Sequence, residues 1–331
     1  MVLISGGQKF DCKKLSVNTF FEWFSSNPHI KCMAEDFRKK HPTEVHDSFT
    51  SVYVHQGEMA TVPLKVTKGC ATDRNLPEYL SSDDATSCYI VILRYATGCS
   101  IGHLDTPLRA KSFFSKSEQI LLSESSDACI GVHIVGGFPD PQKLSESTLG
   151  EILSLLVCTN HTYDLRVCCI AENNIRIFNG IRLPLVMGVN YHIKTDQVDP
   201  ARISWKARGP VPALRLSRLS SYSGEITNVF DPENCFLCVS PFAYVRLTSM
   251  NPEITYEEMR TKSTTPDQEP QTYFEGQAAV HHLMLHCYDS LSWFKAGPLI
   301  FRCTLDSNKP WIPVNEASAF ASENPLTNVE I

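Results

Sequence analysis

Five consecutive residues, Tyr89-Ile90-Val91-Ile92-Leu93, constrain this chain more than any other stretch. They are apolar throughout, rich in β-branched and aromatic side chains and without helical spacing, the pattern of a strand buried on both faces. The residues before them are of the opposite kind. Ser82-Asp83-Asp84-Ala85-Thr86-Ser87-Cys88 is a loop of short, mostly polar side chains that delivers a cysteine to the mouth of the strand. Gly102-His103-Leu104-Asp105 follows, where a neighbouring strand can end.

A thiol at a strand entrance and an imidazole on the next strand are the parts of a nucleophile and its base. A close imidazole favours the thiolate by pairing with it. The small side chains around Ser87 and Cys88 let backbone N–H groups turn towards a carbonyl oxygen and form an oxyanion hole. Ser82, at the far end of the loop, offers a hydroxyl to orient His103. Taken alone the pattern is weak, because free cysteines are mostly inert packing residues.

Further segments keep one order along the chain: Tyr53-Val54-His55-Gln56-Gly57-Glu58-Met59-Ala60-Thr61-Val62, then the Ser82 to Cys88 loop and His103-Leu104-Asp105. His133-Ile134-Val135-Gly136-Gly137-Phe138, Phe178-Asn179-Gly180 and Ser263-Thr264-Thr265-Pro266-Asp267-Gln268-Glu269-Pro270 follow. Together they resemble the protein N-terminal asparagine amidohydrolase family over roughly residues 52 to 290, and Asp83 to Cys88 is the most specific piece. The chain departs from the family at Gly57, where Arg is usual, and at Val2, where Pro is frequent.

The resemblance implies deamidation of an N-terminal asparagine to aspartate through a thioester, with Cys88 as nucleophile, His103 as base and Ser82 as orienter. It implies no metal and no organic cofactor, protein or peptide substrates with a free N-terminal Asn, a monomer, and degradation of the Asp product through the N-degron pathway. The implied architecture is α+β, with layered mixed and antiparallel sheets flanked by helices, similar to the deamidases of chemotaxis receptors and of cytotoxic necrotizing factors. An N-terminal substrate also needs a carboxylate for its α-ammonium, since a charge-assisted hydrogen bond is the economical means. Glu58, Asp83, Asp84 and Asp105 compete for that role. Glu58 reads equally as a structural ion pair or an edge charge, and one of the aspartates can instead hold the loop. Two other functions stay open: a thiol deamidase for another amide, and a non-catalytic module that binds N-termini.

Composition narrows the class. The 331 residues suffice for a large core, read here as one domain, and 43% hydrophobic with 20% charged residues is ordinary for a globular protein. A net charge of -6 argues against a nucleic-acid or anionic-membrane surface. The 13 cysteines are odd in number and lack framework spacing, and the amino terminus lacks a signal-peptide pattern, so a reduced cytoplasmic or nuclear protein is expected. No uncharged apolar run reaches the roughly 20 residues of a membrane helix.

Elsewhere the patterns are structural. Residues 16 to 41 read as helical, with Asn27-Pro28 as cap and Ile30, Met33, Ala34 and Phe37 as stripe. Residues 68 to 84 read as a polar surface connection, 106 to 123 as a helix, 129 to 135 as a strand closed by Gly136-Gly137. Thr148-x-x-Glu151 reads as the capping box of the next helix. Arg208 to Leu219 reads as a helix with a solvated basic face. Cys235-x-x-Cys238 and His282-x-x-x-His286 fall short of a zinc ligand set. His133 reads as a hydrogen-bonded structural histidine, and the segment from about 307 as a loosely attached tail.

Overall fold

The computed structural model describes residues 2–5, 8–11, 24, 26–47, 50–64, 76–122, 129–159, 161–221, 224–244, 255–287, 290–304 and 310–324. The first strands are β1 (Val2–Ser5), β2 (Gln8–Asp11), β3 (Thr43–Val45), β4 (Ser51–Tyr53), β5 (Glu58–Pro63) and β6 (Tyr79–Ser82). Next come β7 (Tyr89–Arg94), β8 (Gly98–Leu104), β9 (Cys129–Gly136), β10 (Thr162–Ile170), β11 (Ile175–Phe178), β12 (Ile181–Pro184), β13 (Val189–His192) and β14 (Gln197–Ile203). The last are β15 (Thr227–Asn228), β16 (Phe230–Asp231), β17 (Phe236–Val239), β18 (Leu299–Cys303) and β19 (Trp311–Pro313). Among the described residues the helices are α1 (Pro28–Arg38), α2 (Pro107–Leu121), α3 (Leu144–Cys158), α4 (Pro212–Ser217), α5 (Tyr256–Arg260), α6 (Gln271–His286) and α7 (Glu316–Glu323).

The apolar run becomes β7, in the interior of an eight-stranded mixed sheet of order β15-β5-β8-β7-β9-β10-β1-β2. Its alternation serves two cores. Tyr89, Val91 and Leu93 pack with Phe113 and Phe114 of α2 and with Leu149, Ile152 and Leu153 of α3. Cys88, Ile90 and Ile92 face the other way, onto Val52, Leu80, Val189 and Tyr191. Those partners belong to a five-stranded sheet, β3-β14-β13-β6-β4, stacked on that face. The order is helices, large sheet, small sheet, so the fold is α+β and β7 is buried on both faces as the sequence requires. A third core joins α4, α6 and α7 to the sheet β16-β17-β18-β19.

Local expectations hold where the signal is strong. Asn27 Oδ1 accepts from His29 N at 2.9 Å and Pro28 opens α1, which buries Ile30, Ala34 and Phe37. Residues 16–23, the rest of that expected helix, lie outside the described residues, as does 68–75 of the expected surface connection. The end of that connection is no surface loop. Tyr79–Ser82 pairs with β4 and β13 and buries Leu80, Ser81 and Ser82; four residues are too few to show a strand's alternation. The Thr148 capping box is also not used. Thr148 is buried within α3, and the helix starts earlier because Asp140 accepts hydrogen bonds from the N–H groups of Gln142, Leu144 and Ser145. His133 is buried and hydrogen-bonded to Asp196 at 3.1 Å, the structural role expected. Residues 310–324 are not loose: β19 pairs with β18, and α7 buries Ala317 and Ala321.

Gly136 and Gly137 fix the entrance of β7. Both have positive φ, +109° and +77°, and Gly137 N donates to Cys88 O at 2.8 Å. A Cβ on Gly136 would stand 2.5 Å from Cys88 O and 3.2 Å from Ala85 O. Only glycine permits that approach. Gly136→Ala is therefore expected to destabilise the fold by about 1–3 kcal/mol, read as a lower midpoint in urea; an unchanged midpoint would show that the glycine pair does not hold the loop.

Candidate active site

Register brings the first parts together. In the antiparallel pair β7–β8, Ile90 lies opposite His103. Alternation then puts Cys88, two residues earlier, on the same sheet face as His103 and diagonal to it. Cys88 is 8% exposed and His103 2%. Ser82, at the end of β6 in the facing sheet, reaches across with its Oγ 2.9 Å from His103 Nδ1. The same hydroxyl donates to Val54 O at 2.8 Å. Its single proton is thus spent, so Nδ1 must carry the hydrogen of that pair, and Nε2 keeps its lone pair. Buried His103 Nε2 has no hydrogen-bond partner among the described residues.

Burial sets the protonation states. It lowers the His103 pKa to about 4, with Asp105 and Asp84 opposing. Burial, reinforced by the charges of Asp105 and Glu269, raises the Cys88 thiol well above its ordinary value. The expected thiolate–imidazolium pair is therefore replaced at neutral pH by a thiol and a neutral imidazole, because neither charge is solvated. Ala85 N and Thr86 N are bonded to Met187 O and Asp84 O. Among the described residues no backbone carbonyl accepts from Ser87 N or Cys88 N.

The four carboxylates separate cleanly. Glu58 is 1% exposed; its Oε2 accepts from Arg215 at 2.6 Å and from His55 N at 3.0 Å, and its Oε1 from Arg215 and Arg218, each at 3.3 Å. Asp83 accepts from Tyr53 Oη at 2.6 Å and Ile203 N at 2.9 Å and pairs with Arg208 at 3.1 Å. Asp84, at φ +58°, pairs with Arg208 at 2.6 Å and accepts from Thr272 Oγ1 at 2.6 Å. Asp105 Oδ2 is paired with Arg109 and accepts from Gln56 at 2.8 Å. Its Oδ1 is buried with no partner among the described residues. Of the four, Asp105 alone keeps an oxygen without a partner among the described residues, and its charge acts on the Cys88 thiol.

The expected solvated basic face is overturned. Arg208, Arg215 and Arg218 are 2%, 1% and 9% exposed, and they supply the counter-charges for Glu58, Asp83 and Asp84. Pro210 and Pro212 break the segment, so only Pro212–Ser217 is α-helical and its side chains turn inward. Gly57 also finds its reason. At φ +77°, a Cβ there would stand 2.9 Å from the Arg109 guanidinium carbon, so a guanidinium from α2 already fills the space beside it.

The Ser263–Pro270 loop and the first turn of α6 bond to the Ser82–Cys88 loop. Thr86 Oγ1 donates to Glu269 Oε2 at 2.8 Å, Thr264 Oγ1 to Ser87 Oγ at 3.3 Å, and Thr272 to Asp84. Burial raises the Glu269 carboxyl to about 7. The sequence marks this loop as a segment of the resemblance but does not single out Glu269 as a contact residue. It also passed over His55, which with His103, Gln56, Tyr273 and Gln277 lines a cavity of about 20 Å³. Among the described residues no group of three or more His, Cys, Asp or Glu is placed to hold a metal ion, and no helix is long and apolar enough to cross a membrane.

A buried thiol and a neutral imidazole with a free Nε2 on one sheet face are groups capable of attack on a carbonyl. Comparison with known sequences narrows the class. The sequence model of the family described as protein N-terminal asparagine amidohydrolase matches residues 41–312, and the chain belongs to that family. Relatives of that name include the Sus scrofa protein, 28% identical over 68% of this chain and 71% of the relative, and the Homo sapiens protein, 27% identical over 78% and 79%. The Arabidopsis thaliana protein is 22% identical over 86% and 90%.

Glu58→Ala would strand Arg215 and Arg218 as buried charges. It is expected to cost about 3–5 kcal/mol, measured by urea unfolding; a loss below about 1 kcal/mol would mean that the arginines do not depend on Glu58.

Proposed function

We propose that this protein removes the side-chain amide of an N-terminal asparagine, leaving aspartate, by covalent catalysis at Cys88. The observation that carries the proposal is the Ser82–His103 pair, which leaves His103 Nε2 basic and unspent on the sheet face of Cys88, in a chain of the amidohydrolase family.

The steps follow from the groups. As Cys88 Sγ attacks the carboxamide carbon, its proton passes to His103 Nε2, while Ser87 N and Cys88 N hold the oxyanion. The C–N bond breaks, His103 returns the proton to the departing nitrogen, and ammonia leaves a thioester. Water then gives a proton to His103 and attacks the thioester; the C–S bond breaks and Cys88 regains its hydrogen. One water is consumed and one ammonia released. Ser82 holds the imidazole tautomer throughout.

Asp105, with its free Oδ1, takes the α-ammonium; Glu58 and Asp83 hold the fold, and Asp84 holds the loop against Arg208 and Thr272. The fixed span from Asp105 to Cys88 then acts as a ruler. One methylene in a pocket discriminates by only about 1–3 kcal/mol, so rejection of glutamine rests on misalignment at both ends. The same reading includes one catalytic domain, a monomer acting in the cytoplasm or nucleus, supply of Asp-initiated chains to N-degron degradation, and kinship in outline with the chemotaxis-receptor and cytotoxic-necrotizing-factor deamidases.

Two outcomes are expected. Ammonia release from an Asn-initiated peptide should occur with the native protein and vanish in Cys88→Ala and on acetylating the α-amine; release by the alanine variant would move the chemistry elsewhere. The acid limb of kcat/KM should also titrate near pH 4, where buried His103 gains its proton and ceases to be a base. A limb at the ordinary imidazole value, about 6.5, would show His103 to be solvated or not the base.

A further inference from the structure

One polar atom at the site has no role in that scheme. His55 is 1% exposed, and its Nε2 is buried with no hydrogen-bond partner among the described residues. Its ring borders the same small cavity as His103. It packs edge-on against Tyr53, ring centres 4.7 Å apart, and at 6.4 Å from Trp205. The backbone is fixed as well, since His55 N donates to Glu58 Oε2 and His55 O accepts from Glu58 N at 2.9 Å. The imidazole is thus held in place with one nitrogen unused. A buried group left in that state costs about 1–3 kcal/mol, and such costs gather where a ligand completes the bonding.

We infer that His55 is a substrate-contacting residue, whose Nε2 hydrogen-bonds the amide-bearing head of the bound N-terminal residue across the cavity from His103. The inference rests on the proposed deamidation and adds a contact to it. Neutrality suits the role. Burial, with Arg215, Arg208, His103 and Arg218 around it, holds the His55 pKa well below its ordinary value. A neutral imidazole neither repels the substrate's α-ammonium nor binds the aspartate product as an ion pair, so it favours the carboxamide over the carboxylate that replaces it.

The test compares His55→Leu and His55→Gln with the native protein, using one Asn-initiated peptide, thermal melting and steady-state ammonia release. Leucine removes an unsatisfied buried polar atom, so a purely structural His55 predicts equal or greater stability with unchanged kinetics. The inference predicts equal or greater stability with kcat/KM lowered about 10- to 100-fold. It also predicts recovery to within about 5-fold in the glutamine variant, whose side-chain amide reaches a similar point. Leucine kinetics like the native would overturn the inference, as would glutamine kinetics like leucine. If leucine unfolds the protein, the glutamine variant decides through product inhibition: the inference predicts that aspartate-initiated peptide inhibits it no more strongly than the native protein, and tighter inhibition overturns it. An inactive native protein would instead overturn the deamidation reading, a separate result.

Discussion

Three arginines and three carboxylates, all withdrawn from water, hold this structure together: Arg208, Arg215 and Arg218 against Glu58, Asp83 and Asp84. Burying six charges is costly, and apolar residues of the same volume would hold the layers as well or better. What apolar residues would not supply is direction. Arg215 also donates to Tyr53 O and Arg208 O, and Asp83 accepts from Ile203 N. The network therefore ties β4, β5, β14, the Ser82–Cys88 loop and α4 into one register. It also sets the local potential. His55 stays neutral because it is buried and because Arg215, Arg208 and Arg218 lie near it, so the groups that position the loop also hold a neighbouring imidazole uncharged.

The short strand β6 and the loop after it show how stacking creates the site. Ser82 and His103 are 21 residues apart and lie on different sheets; they meet only because the small sheet packs on the Cys88 face of the large one. A sequence window sees a serine near a cysteine. The hydrogen bond is a property of two layers.

This decides what could be read from the chain. The β7 run, the Thr106–Pro107 start of α2 and the Asn27 cap of α1 are local signals, and each is legible because its cause lies within a few residues. That Cys88 and His103 share a sheet face is legible because Cys88 immediately precedes β7 and His103 lies on the antiparallel strand beside it. The inward turn of Arg208, Arg215 and Arg218 was not, since charge pattern alone describes a solvated face and the partners lie more than a hundred residues away. Asp105 could not be separated from Glu58, Asp83 and Asp84 for the same reason: what distinguishes the four is which oxygens are already used. The capping box at Thr148 failed differently, because a stronger cap at Asp140 started the helix sooner.

The contacts of the Ser82–Cys88 loop with the segment at 263–272 span 177 to 188 residues of sequence. Cys88 leaves the ribosome long before Thr264, Glu269 and Thr272 exist to secure its loop. A nascent chain carries the thiol but not the site. An enzyme whose proposed substrates are the amino termini of proteins thus gains its own site only after the segment at 263–272 has been made.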